Sequence, residues 1–174
     1  MRTTKKITLC AMICALGTVM MLLGAIIETL DLTVCAMASL LVVFVYIEIG
    51  SYYPWLVWIC TTLATALVYS GSLVWIEYFL IFGIYPLVKA YIERLPRWSW
   101  LIVKIGYINV MIWAIFCVSE LLLGIPFFGE DTLALKIVLY VMINVAFIAY
   151  DFFINVMLRF YLEKIRPRIK KLLK

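Results

Sequence analysis

The stretch Leu133-Ala-Leu-Lys136-Ile-Val-Leu-Tyr140-Val-Met-Ile-Asn144-Val-Ala-Phe-Ile-Ala-Tyr-Asp151-Phe-Phe-Ile-Asn155-Val-Met-Leu-Arg159 decides how this chain folds. It is long enough to cross a hydrocarbon layer as a helix, for which about 20 apolar residues suffice. Yet it is not apolar all round. At about 100° per residue, Lys136, Tyr140, Asn144, Asp151, Asn155 and Arg159 fall within an arc of about 140°. A polar side chain in hydrocarbon costs several kcal/mol unless it is paired or wet. The stripe is therefore expected to face protein or water, and the remaining sequence must supply the neighbours.

It does. Of the 174 residues, 67% are hydrophobic and only 14% charged, against about 25% charged in an ordinary globular domain. That is enough apolar sequence for roughly six passes of about 20 residues. Divided at charged, Gly, Pro and Ser clusters, the runs predict helices over 7–27, 32–49, 54–70, 73–92, 100–123 and 133–159. Helices are expected rather than strands because a bilayer leaves open strand edges unsatisfied. The expectation is an all-α integral membrane bundle of six transmembrane helices, one domain over 1–174, ending in a short basic amphipathic tail over 160–174. The first run follows Arg2, Lys5 and Lys6 as a signal peptide would. It exceeds the length of a signal h-region and has no A-x-A site before Glu28, so it is expected to be retained. In the turn Gly50-Ser51-Tyr52-Tyr53-Pro54, the proline suits the first turn of the next helix.

Lys and Arg concentrate on the cytoplasmic side of membrane proteins. With the N-terminus inside, Arg2, Lys5, Lys6, Lys89, Arg94, Arg97, Lys104, Arg159 and the tail cations all fall on that side, and only Lys136 falls outside. Both termini are thus expected in the cytoplasm and the protein in the cell membrane. The net charge of +5 arises mostly from the tail, which reads as an interfacial segment resting on anionic lipid rather than a nucleic-acid contact. Histidine is absent and the five cysteines show no C-x-x-C spacing, so His-based catalysis, a zinc site and a disulfide framework are not suggested. Without a P-loop, energy must come from a partner or an ion gradient. No catalytic residues, metal or cofactor are expected.

Polar groups inside the spans sort into two layers. In the inner layer, Asn109 and Asp151 lie at similar depth, with Asn155 one turn further along, and read either as glue between helices or as an ion or proton site. In the outer layer, Glu120, Lys136, Tyr140, Asn144, Trp75, Glu77 and Tyr78 gather with Trp113 somewhat deeper. Trp113 and Glu120 share with Asn109 and Phe116 an arc of about 60° on the fifth helix, a face expected to meet the stripe on the sixth. This set reads either as an aromatic-walled pocket binding a small solute through Trp75, Glu77, Trp113, Glu120, Tyr140 and Asn144, or as an aromatic belt with a Glu120–Lys136 ion pair. The loop Gly124 to Asp131 reads as a lid or as an interfacial anchor through Phe127 and Phe128.

On the first helix, Ala11 and Ala15 form a small-x-x-x-small pair that lets another helix approach closely. Gly17 and Gly24 lie seven residues apart on the opposite face. The basic N-terminus running into K-I-T-L-C-A-M-I-C-A-L-G, the six spans and the length resemble the substrate-binding (S) components of energy-coupling-factor transporters. The resemblance covers the whole chain as architecture but only the first helix as motif. It implies that Ala11 and Ala15 dock on a transmembrane coupling subunit served by ATPases, and that a vitamin or other micronutrient binds on the outer half. The chain is also similar in size and span count to the rod-shape-determining membrane scaffolds of bacteria, which implies instead a non-transporting protein that binds cell-wall synthesis partners through the same alanine face.

Overall fold

The computed structural model describes residues 3–123 and 133–167. All regular structure among them is helical. The segments are α1 (Thr3–Ile26), α2 (Asp31–Glu48), α3 (Tyr53–Val68), α4 (Val74–Glu77), α5 (Tyr85–Ile92), α6 (Trp100–Leu123) and α7 (Leu133–Phe160). Two compact units divide the chain between Glu130 and Asp131. The first holds α1 to α6 and the second holds α7 with the turn that follows it.

Five of the six expected spans are single helices whose limits fall close to the sequence-based boundaries. The fourth differs. Its expected 73–92 helix is α4, then a five-residue π turn over Tyr78–Phe82, then α5. The backbone N–H of Gly83 reaches back five residues to the Tyr78 carbonyl at 2.7 Å. Pro86, in the first turn of α5, has no N–H to return to the preceding turn. Inside the π turn, the Leu80 carbonyl accepts a hydrogen bond from the Tyr107 hydroxyl of α6 at 3.0 Å. The Tyr107 and Tyr85 rings lie 5.6 Å apart, so the same tyrosine packs on the start of α5.

Turn chemistry places the other boundaries. α2 stops because Gly50 and Ser51 take the left-handed conformation, with φ of 64° and 59°, while the N–H groups of Ile49 and Gly50 both close onto the Val45 carbonyl. Pro54 then sits in the first turn of α3 as expected.

In the first unit, α1, α2 and α3 pack on one another, α2 also meets α5, and α6 lies against α4 and α5. Close approach to α1 depends on its glycines. A Cβ on Gly17 would stand 3.2 Å from Thr61 of α3, and one on Gly24 would stand 3.1 Å from Val34 of α2. The interior mixes Met21, Cys35, Val42, Val57, Tyr78 and Tyr85 with buried Ser39, Thr61, Thr62 and Thr65. Ser39, Thr62 and Thr65 donate to carbonyls of their own preceding turns, at 2.6 to 2.9 Å, so the hydroxyls are satisfied without water. The outside is apolar: Leu67 is 85% exposed, Leu121 84% and Ile26 76%. A surface of large aliphatic side chains around a core containing hydroxyls matches a lipid solvent rather than an aqueous one.

In the second unit, the half-buried and buried positions of α7 include Asn144, Phe147, Tyr150, Asp151, Ile154 and Asn155. These occupy an arc of about 140°, and Met142, Val145, Phe152 and Val156 on the other side are exposed. Of the polar stripe expected on this helix, Asn144, Asp151 and Asn155 lie on its less exposed face, while Tyr140 and Arg159 are exposed.

Candidate functional site

The alanine and glycine faces of α1 separate as the sequence suggested. Gly17 and Gly24 are buried in the first unit, whereas Ala11 and Ala15 are exposed with Met12, Leu16 and Val19 around them.

Among the expected solute contacts, Trp75 and Glu77 both lie on α4, at the end of the unit where α1 turns into α2 and α3 into α4. The Trp75 indole donates to the Ser70 carbonyl at 3.1 Å, fastening the α3–α4 turn. Glu77 is half-buried, and its Oε2 is sealed from solvent with no hydrogen-bond partner. Asp31 opens α2 nearby, where its charge suits the helix dipole, and its Oδ1 is likewise sealed from solvent. The two carboxylates are close enough to repel each other. Beneath them the Cys35 thiol, fully buried, lies 3.8 Å from the Val74 carbonyl and 3.9 Å from the Met21 sulfur. Two partly desolvated carboxylates at one helix end suit a cationic or hydrogen-bond-donating group. Nothing in the sequence around Glu77 marks Asp31 as its neighbour. Among the described residues, no group of three His, Cys, Asp or Glu is arranged to hold a metal ion.

Trp113 and Glu120 stand elsewhere. α6 turns Ile108, Ile112 and Ile115 into the unit, and Trp113 is 69% exposed, with Glu120 also exposed. They belong to the outward side of α6 and are not gathered with Trp75 and Glu77. Asn109 is half-buried, and its amide donates to the Ile105 carbonyl of its own helix at 2.8 Å. On the second unit, Tyr140 is exposed and Asn144 donates to the Tyr140 carbonyl at 3.0 Å. The Lys136 side chain and the loop from Gly124 to Asp131 lie outside the described residues.

Two features escaped the sequence reading. Lys89, counted there among the cytoplasmic cations, is 3% exposed. Its ammonium lies 3.6 Å from Glu93, which is also 3.8 Å from Lys104, and 5.9 Å from the Tyr85 ring centroid. The spacing Tyr85, Lys89, Glu93 at four-residue steps was the available signal. Trp58, 7% exposed, stacks on Phe79 at 4.9 Å, and its indole nitrogen, buried without an acceptor, sits over Gly83.

The class these features define is an all-helical protein: among the described residues, five helical stretches, one of them running from α4 through α5, are long and apolar enough to cross a membrane, and α3 is a shorter apolar helix. Comparison with protein families, characterised proteins and solved structures finds no match for this chain.

Proposed function

We propose that this chain is the membrane-embedded capture subunit of an energy-coupling-factor type uptake transporter, taking a small solute on its outer side and docking on an ATP-driven module. The observation that supports this reading most directly is the division of labour on α1. One face is consumed by packing at Gly17 and Gly24, and the Ala11/Ala15 face is left open for a second helix. Trp75 and Glu77, with Asp31 beside them, are the solute contacts, and their paired carboxylates favour a cationic or donor-rich solute. Under this reading the chain performs no catalysis.

The test has two arms. Replacing Ala11 and Ala15 with Leu is expected to abolish co-purification of a coupling subunit from the native membrane while leaving the unfolding temperature unchanged; undiminished co-purification refutes docking through this face. Screening small amines and quaternary ammonium compounds by thermal unfolding is expected to find a stabilising solute whose effect shrinks in Glu77→Gln. If none stabilises the wild type, solute capture at this end of the unit is wrong.

The second reading, a non-transporting scaffold of the cell-wall machinery, is favoured by one observation: Trp113 and Glu120 form no enclosed wall in their own unit. Under it, the same alanine substitutions release cell-wall synthesis proteins instead of a transport module.

A further inference from the structure

We propose that Cys14 and Cys60 form a paired thiol site on the seam between α1 and α3 that intercepts lipid-borne peroxyl radicals and closes to a disulfide. The two residues are far apart in sequence, and nothing local to either announces the pairing. In the fold, α1 and α3 pack along each other. The Cys14 thiol lies 3.8 Å from the Val57 carbonyl of α3, and a Cβ on Gly17 would stand 3.2 Å from Thr61. The close approach that Gly17 permits thus sets Cys14 against the turn of α3 that carries Cys60. The two thiols lie within hydrogen-bonding reach of each other. Cys60 is exposed and Cys14 half-buried, whereas Cys10, one turn earlier on α1, is buried.

The surroundings select the chemistry. Thiol oxidation in water proceeds through the thiolate, and a charged sulfur is disfavoured among aliphatic side chains and lipid. A neutral S–H bond, by contrast, gives up a hydrogen atom without separating charge. A peroxyl radical dissolved in lipid takes the hydrogen of exposed Cys60, leaving a hydroperoxide and a sulfur-centred radical. A second peroxyl radical takes the Cys14 hydrogen, and the two sulfur radicals combine. In all, two S–H bonds break, one S–S bond forms, and two peroxyl radicals become two hydroperoxides, with no proton or electron left over. The trapping is stoichiometric, and a thiol reductant restores the pair. A lone sulfur radical would persist to attack lipid, so the neighbouring thiol, rather than the exposure of Cys60, is the observation on which the proposal stands.

The experiment uses the full chain in nanodiscs of saturated phosphatidylcholine, with peroxyl radicals generated inside the lipid by an apolar azo initiator in air. The wild type is expected to lose the mass of two hydrogen atoms, and proteolysis with peptide mapping to find Cys14 joined to Cys60. The link is expected to raise the unfolding temperature by roughly 5–15 °C, since it closes a long loop between two helices, and dithiothreitol is expected to reverse both changes. Cys60→Ser, at an exposed position, is expected to fold as the wild type does and to form no link. A charged azo initiator confined to water is expected to produce far less of it. The proposal is overturned if all five thiols of the wild type stay open to alkylation after unfolding, if Cys14 joins Cys10 instead, or if the links run between chains through Cys117. Equal linking by the water-borne initiator also overturns it, because the route through hydrocarbon would then be wrong.

Discussion

At Gly83 the missing side chain is a packing requirement. A Cβ there would stand 2.4 Å from Cδ1 of Trp58 and 2.9 Å from both its indole nitrogen and the Tyr78 carbonyl. Neither a stacked indole nor a helix carbonyl can yield by that much. Gly83→Ala is expected to destabilise the protein by about 1–3 kcal/mol, the usual cost of overpacking. Gly106, on α6, has nothing within 4 Å of its would-be Cβ, so Gly106→Ala is expected to be neutral or to stabilise by about 0.5–1 kcal/mol through helix propensity. Thermal unfolding in detergent distinguishes the pair, and equal effects would mean that Trp58 does not press on Gly83. The sequence shows both glycines alike, because nothing local to either reports which neighbour arrives from another helix.

For the elements, the broken fourth span is the informative one. Its α4 and α5 halves are joined by a turn whose Leu80 carbonyl accepts from Tyr107, a residue 27 positions away. Tyr107→Phe keeps the ring contact with Tyr85 but removes the donor, and is expected to cost about 0.5–1.5 kcal/mol, the net worth of one hydrogen bond. Unfolding at the wild-type temperature would show that the hydroxyl is not required. Segment ends such as Glu48, Tyr53 and Ile92 were legible because Gly50, Pro54 and the charges after Ile92 act within a few residues. The interruption at Tyr78–Phe82 was not, since Tyr-Phe-Leu-Ile-Phe is uniformly apolar and the π turn reflects Pro86, Gly83 and a distant tyrosine acting together. The same limit explains the candidate site. Glu77 was legible as an intramembrane acid, but its neighbour Asp31 is brought in by the packing of α2 on α4, and the outward turn of Trp113 depends on which face of α6 the isoleucines occupy.

On the scale of the whole chain, the proposed six crossings would put both termini on one side and alternate turns on opposite sides. In a cysteine-free background, single cysteines at Ser51 and Ser72, which flank α3, are expected to react with a membrane-impermeant maleimide from opposite sides of the membrane, and one at Thr3 from the same side as Ser51. Labelling of Ser51 and Ser72 from one side would remove α3 from the crossings and make the number odd.

That helix has 16 residues, about 24 Å of rise, against a hydrocarbon layer of about 30 Å. If α3 crosses, the two leaflets must pinch toward each other where it meets lipid, and each ångström of dimpling carries a small elastic cost. Membrane proteins that share such a depression relax it, so a crossing α3 would give the molecule a built-in attraction toward neighbours with equally short segments and toward thinner regions of the bilayer.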